Sequence, residues 1–138
     1  MTADMQNALE LHNKYREEVG SPKLVWDPEL AKSAQAWADK IAFLGVMQHD
    51  PNTNGQGENL ATQSGGTNTY FTNAAQLWLN EKSIYDGKPI KTTGTPNYKD
   101  YGHYTQCVWK KTTSVGFAIA KGGNTYYVVA RYSPQGNM

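Results

Sequence analysis

The side chains best suited to chemistry lie closest together in Gly102-His103-Tyr104-Thr105-Gln106-Cys107-Val108-Trp109. An imidazole can carry a proton or ligate a metal, and a thiol can act as nucleophile or ligand. Read as a strand, the period of two sets His103, Thr105, Cys107 and Trp109 on one face and Tyr104, Gln106 and Val108 on the other. The plainer reading is a satisfied core histidine beside an inert buried cysteine. As strand neighbours four apart, His103 and Cys107 stand ~13 Å from each other, too far for a Cys–His nucleophile. The chemistry of His103 therefore rests on partners from elsewhere in the chain.

Three residues qualify. His49 precedes Asp50-Pro51-Asn52-Thr53-Asn54-Gly55-Gln56-Gly57, which is loop by its Pro, Asn and Gly content. Glu58 opens Glu58-Asn59-Leu60-Ala61, read as a short helical turn. Glu81 falls three residues after Trp78 and four after Leu77, on the apolar face of a helix, where a carboxylate needs a partner. Otherwise it is a surface acid at the margin of the stripe. Two imidazoles can bind a divalent ion through neutral nitrogens while carboxylates orient them. The spacing of these four residues matches no compact zinc motif. His12 and Arg16, one turn apart on another helix, read as a polar edge fixing that helix to neighbouring backbone.

The elements that must hold them follow from periodicity. Helices are expected over 5–19, 28–44 and 73–85, and strands over 103–109, 114–121 and 125–132. Asp27-Pro28-Glu29 is a helix start, with Asp27 as N-cap and Pro28 at the first helical position. Gly45 stops that helix, whose many alanines allow close approach to another element. Thr72 or Asn73 can cap the third helix. Val115, Phe117 and Ile119 alternate as a half-buried strand, and Gly122-Gly123-Asn124 turns it into a hairpin. Trp37, Trp78, Trp109, Phe117 and Val128 are the expected core. Helices first and a late antiparallel sheet give an α+β fold.

The totals narrow the class. The 138 residues suit one domain spanning 1–138, with 38% hydrophobic and 12% aromatic residues. Thirteen Lys+Arg against twelve Asp+Glu leave a net charge of +1 without a basic block, which argues against nucleic acid as a partner. No apolar run is long enough for a transmembrane segment, and no charged-then-apolar targeting segment stands in the chain. Its one cysteine permits no internal disulfide, so Cys107 is expected buried and unpaired.

Four motifs in order then carry a resemblance: His12-Asn13-x-x-Arg16; Gly57-Glu58-Asn59-Leu60; Gly102-His103-Tyr104-Thr105-Gln106-x-Val108-Trp109; and Tyr127-Val128-Val129-Ala130-Arg131-Tyr132-Ser133-Pro134-x-Gly136-Asn137. Together they resemble the CAP superfamily of cysteine-rich secretory, antigen 5 and pathogenesis-related class 1 proteins. The resemblance implies an α-β-α sandwich with a central antiparallel sheet flanked by helices. It also implies a cleft of two histidines and two glutamates, which falls on His49, His103, Glu58 and Glu81. Ala130 stands where many relatives have a cysteine, and Cys107 where an aliphatic residue is usual. The chain also stops at Met138, ahead of the short C-terminal tail expected in relatives.

What the resemblance implies about function is a secreted, non-enzymatic binding protein in defence, virulence or lipid export, extracellular, with a cytosolic or Golgi-associated location as the alternative. Zinc or another divalent ion would bind weakly at His49 and His103. A sterol or fatty acid would contact Ile84, Tyr85, Ile90, Tyr98 and Tyr101, and a protein receptor is the remaining partner. Lys88, Lys91, Lys99 and Asp100 make that segment more polar than the aromatic-rich loop of sterol-binding relatives. The alternatives are a metal-dependent hydrolase using the same cleft and a protein-interaction scaffold.

Overall fold

Two adjacent runs of alternating residues decide the architecture. In Ser114–Gly122 every second residue is Gly or Ala (Gly116, Ala118, Ala120, Gly122), while Val115, Phe117 and Ile119 occupy the other face. In Thr125–Ser133, Val128, Ala130 and Tyr132 share the face of Phe117, and Tyr127 and Val129 share that of Ala118. A strand with large residues on one side and small ones on the other invites a helix to lie close against the small side.

The computed structural model describes residues 1–85 and 98–138, the side chains of 98–100 excepted. Its helices are α1 (Ala3–Glu18), α2 (Pro28–Leu44), α3 (Tyr70–Leu79) and α4 (Tyr98–Val108), with a 3₁₀ turn at Asn80–Ile84. The strands are β1 (Val25–Trp26), β2 (Gly57–Ser64), β3 (Ser114–Gly122) and β4 (Thr125–Ser133), arranged β1-β3-β4-β2. β2, β4 and β3 are antiparallel; β1 adds two residues parallel to β3. The sheet is therefore mixed where an antiparallel one was expected.

The layers form an α-β-α sandwich. One core joins Ala34, Trp37, Ala38 and Ile41 of α2 to Leu60, Ala118, Tyr127 and Val129. The other gathers Ala8 and Leu9 of α1, Phe71, Ala75 and Trp78 of α3, and Tyr104 and Cys107 of α4 over Val115, Phe117, Val128 and Tyr132. A Cβ at Gly116 would run into the Ala31 backbone, and one at Gly122 into the Ala42 carbonyl. The alanines of α2 thus meet the glycines of β3 backbone to backbone.

Four expectations need correction. Residues 103–108 of the expected strand at 103–109 form the end of a helix instead, because Tyr101, Tyr104 and Cys107 are buried at a spacing of three, which only a helix turns to one side. The strand that completes the sheet is β2, in a stretch read as a helical turn followed by polar loop. Its alternation is hidden because its α2-facing side begins with the carboxylate Glu58 and its other side with Asn59. Trp109 is half-buried instead of buried. The third helix starts at Tyr70, three residues early, because α1 caps it: Asp4 accepts from the Phe71 and Thr72 amides at 2.7 and 3.0 Å. Trp37, Trp78, Phe117 and Val128 are buried as expected.

α1 is pinned to this frame by its polar residues. Arg16, fully buried, donates from Nε to Pro22 O (2.6 Å), from Nη1 to Cys107 O and Trp109 O (2.9 and 3.1 Å), and from Nη2 to Thr112 O (2.7 Å). His12 Nδ1 donates to Ala8 O at 2.8 Å. A carbonyl can only accept, so in the neutral ring Nε2 accepts from the Tyr132 hydroxyl, also at 2.8 Å. Burial is the main cause that lowers the His12 pKa to about 4, and Arg16 adds to it, while the Ala8 bond opposes it.

Two outcomes follow from this packing. Gly116→Ala should cost about 1–3 kcal/mol of folding stability by overpacking against Ala31, read as a lower midpoint in urea denaturation. His12 is neutral in the fold but takes a proton near pH 6.5 when unfolded, so its contribution is fully present above that pH. It should be lost as pH falls toward 4, by roughly 3 kcal/mol in all. Stability curves of wild type and His12→Gln between those pH values should converge; parallel curves would remove His12 as the cause.

Candidate functional site

Glu58 sits near the start of β2, opposite Arg131 in the register with β4. Both side chains are only 3% exposed, and Arg131 Nε lies 2.8 Å from Glu58 Oε2. That close contact lacks an aligned hydrogen bond, so attraction of charge holds it. The guanidinium also donates from Nη1 to Gln56 Oε1 (3.0 Å) and from Nη2 to Asp50 Oδ2 (2.8 Å). A buried arginine with two carboxylates and an amide fixes the loop that carries His49. Glu58 Oε1 then accepts from His49 Nδ1 at 2.8 Å and from the Asp50 amide at 3.0 Å. His49 itself stays open, its side chain 63% exposed.

Glu81 and His103 form the second pair. Glu81 stands on the 3₁₀ turn after α3, not on a continued α-helix. Its Oε2 accepts from His103 Nδ1 at 2.8 Å and its Oε1 from the Tyr104 amide at 3.1 Å. The His103 ring stacks on Trp78 at 6.5 Å between centroids, and 31% of its side chain remains exposed. Asn59, next to Glu58, donates to the His103 carbonyl at 3.1 Å, so β2 is tied to α4 between the two pairs.

The structure thus joins His49 with Glu58 and His103 with Glu81. Among the described residues, no three or more His, Cys, Asp and Glu side chains converge as a metal-ligating cluster. In each pair the carboxylate takes Nδ1–H, which leaves the Nε2 lone pair of the neutral imidazole for a ligand. A polar cavity of about 240 Å³ opens beside His49 and Glu58, walled also by Gln56, Gln106, Gly136 and Asn137.

On the helix, Cys107 and His103 lie one turn apart on one face, so distance no longer separates them. The thiol is nonetheless fully buried, and its Sγ lies 3.4 Å from Asn59 Nδ2 and 3.7 Å from the Tyr132 hydroxyl. Burial pushes its pKa up to about 12, which keeps it a thiol. Of the candidate lipid contacts, Ile84 is exposed, Tyr85 is half-buried, and Tyr101 is buried with its ring 5.0 Å from that of Tyr85. Ile90 lies outside the described residues, as does the side chain of Tyr98.

Arg131, Asp50, Gln56 and Asn59 were not assigned roles from sequence. One signal was present: Arg131 interrupts the apolar run Val128-Val129-Ala130-Arg131-Tyr132, and an arginine inside a buried strand demands acids.

Known proteins share this arrangement of elements. Residues 9–132 match the model described as CAP: Cysteine-rich secretory protein family. Pathogenesis-related protein 1A of Nicotiana tabacum is 37% identical over 96% of this chain and 76% of its own length. Venom allergen 5.02 of Dolichovespula maculata is 35% identical over 91% and 69%. The crystal structure of NaASP2 with Zn2+ superposes with a TM-score of 0.86 at 28% identity, covering 100% of this chain and 83% of that one.

The acid beneath His49 is also structural. Glu58→Gln should cost about 3–5 kcal/mol, because it leaves the buried Arg131 with Asp50 as its remaining carboxylate. Chemical denaturation would measure this; a loss below about 1 kcal/mol would show that the Arg131–Glu58 contact carries little.

Proposed function

The chain belongs to the cysteine-rich secretory protein family, and on that premise we propose that it is a secreted, non-enzymatic binding protein acting in defence, virulence or lipid export. Its cleft presents two imidazoles, each oriented by its own glutamate, to a weakly held divalent ion. The observation that carries this reading is the pairing of both Nδ1 atoms, His49 on Glu58 and His103 on Glu81 at 2.8 Å each. With Nδ1 committed, His49 and His103 would hold the ion through Nε2. The similar protein NaASP2 has a crystal structure with Zn2+.

A bound ion would supply a Lewis-acidic cation for an anionic or carbonyl-bearing ligand. Two nitrogens leave most of the coordination shell to water, so modest affinity is the expectation. The same donor set favours binding over hydrolysis, because catalytic zinc normally has three protein ligands. The buried, protonated Cys107 supports that choice. A sterol or fatty acid is the proposed organic ligand, with Ile84 and the rim of Tyr85 as its described contacts. Burying one such side chain is worth about 1.5–3 kcal/mol, so Ile90 and Tyr98 would have to contribute as well for useful affinity. A protein receptor is the other proposed partner.

Calorimetric titration of apo protein with zinc should show weak binding, lost when His49 and His103 are both replaced by alanine. Undiminished binding in that double variant would place the ion elsewhere. Lipid extraction of protein purified without chelator would identify any organic ligand that travels with it.

A further inference from the structure

The sheet ends on β2, and the two halves of that strand differ. Gly65, next in register opposite Asn124, donates its N–H to the Asn124 carbonyl at 3.4 Å. The odd-numbered residues from Gly57 to Gln63 are therefore the ones that bond to β4. The even-numbered ones turn N–H and C=O away from the sheet. Leu60 agrees, because its outward carbonyl accepts from Trp78 Nε1 at 2.9 Å. Farther along, Thr62 and Ser64 are exposed. Among the described residues, no group bonds to their outward amides or carbonyls.

Exposed edges are ordinarily guarded by lysine, proline, a bulge or brevity. The opposite edge follows that rule, since β1 has two residues, with Lys23 shortly before it and Pro28 shortly after. The open half of β2 does not. Its register with β4 runs unbroken from Gly57 to Ser64, and Thr62-Gln63-Ser64 holds no charge and no proline.

A groove lies beside this edge. Between α3 and β2 a cavity of about 210 Å³ is walled by Ala61, Tyr70, Ala74, Leu77 and Val128, and no charged side chain lines it. The amides beside it are spent on each other, Asn73 Nδ2 donating to Gln63 Oε1 at 3.1 Å. Leu77, 57% exposed, stands open at its margin. Residues opposite one another on paired strands point to the same face. A strand laid along Thr62 and Ser64 would thus exchange about four backbone hydrogen bonds with them. Its side chains opposite Ala61 and Gln63 would turn toward the groove. A second β2 does not fit this site: with Thr62 opposite Ser64, one Gln63 would meet the other and the apolar cavity would stay unfilled.

We infer that the Thr62–Ser64 edge and the α3–β2 groove dock an extended peptide segment of a protein partner, which adds a strand to the sheet and seats an uncharged apolar side chain in the groove. The inference rests on the protein partner proposed above and is independent of the His–Glu pairs.

Nuclear magnetic resonance titration tests it with three blocked hexapeptides, which alternate threonine with leucine, phenylalanine or aspartate. The leucine or phenylalanine peptide should bind saturably and protect the Thr62 and Ser64 amides from hydrogen exchange; the aspartate peptide should not. Ser64→Pro deletes a donor that the fold does not use, so it should weaken binding at least about tenfold with an unchanged melting temperature. Leu77→Ser, at an exposed position that leaves the backbone intact, should weaken it several-fold. The inference fails if neither apolar peptide binds, if the aspartate peptide binds as well as they do, or if both variants bind like wild type. It fails equally if sedimentation shows that this edge joins two copies of the chain. Zinc titration of the same samples reports on the cleft alone, and a protein receptor that binds both variants like wild type would keep the receptor reading while removing this site.

Discussion

One guanidinium sets the position of everything near His103. Arg16 is fully buried without a carboxylate within bonding distance among the described residues, and it is balanced by four backbone carbonyls from the turn at Pro22, the end of α4 and the turn at Thr112. Two of those carbonyls, of Cys107 and Trp109, lie at the negative end of the α4 dipole, where a cation is favoured. Burial lowers the Arg16 pKa, yet an arginine keeps its proton. Lysine offers a point charge in place of a planar fork and could not serve three separate segments at once. The end of α4 is thereby locked to α1, and the direction of that helix decides where His103 points.

A second buried network completes the lock. His12 accepts from Tyr132, whose hydroxyl also lies 3.2 Å from Asn59 Nδ2, and Asn59 reaches the carbonyl of His103. α1, β4, β2 and α4 thus meet through polar atoms that have no access to water, where each unmet bond is costly. Cys107 sits inside this network as a packing residue with a raised pKa. Its neighbourhood explains why a residue equipped for nucleophilic chemistry is inert.

The two His–Glu pairs share a design built from unlike parts. Glu58 is neutralised from below by Arg131 and orders a loop; Glu81 is held by the Tyr104 amide of α4. The acids hold their rings through Nδ1, and each imidazole is the more exposed member of its pair. Such an arrangement suits binding by pre-set donors, because little side-chain entropy remains to be lost when a ligand arrives.

Local chemistry made several features readable from the chain alone. The span of α2 follows from Asp27, Pro28 and Gly45; the β3–β4 hairpin follows from its alternation and its glycines. Ordered motifs placed Glu58 and His103, and a carboxylate on an apolar stripe marked Glu81. These signals are local, since caps, turns and periodicity act within a few residues. The helix at 98–108, the strand at 57–64 and the roles of Arg131 and Asn59 were decided by tertiary structure. Alternating chemistry in His103-x-Thr105-x-Cys107 imitated a strand, and only packing against α3 and β4 selected the three-residue spacing of Tyr101, Tyr104 and Cys107. Polar residues in β2, Glu58 and Asn59, concealed a strand because their partners, Arg131 and Tyr132, lie more than seventy positions away. A sequence records which side chains must be satisfied; the fold determines which distant groups satisfy them.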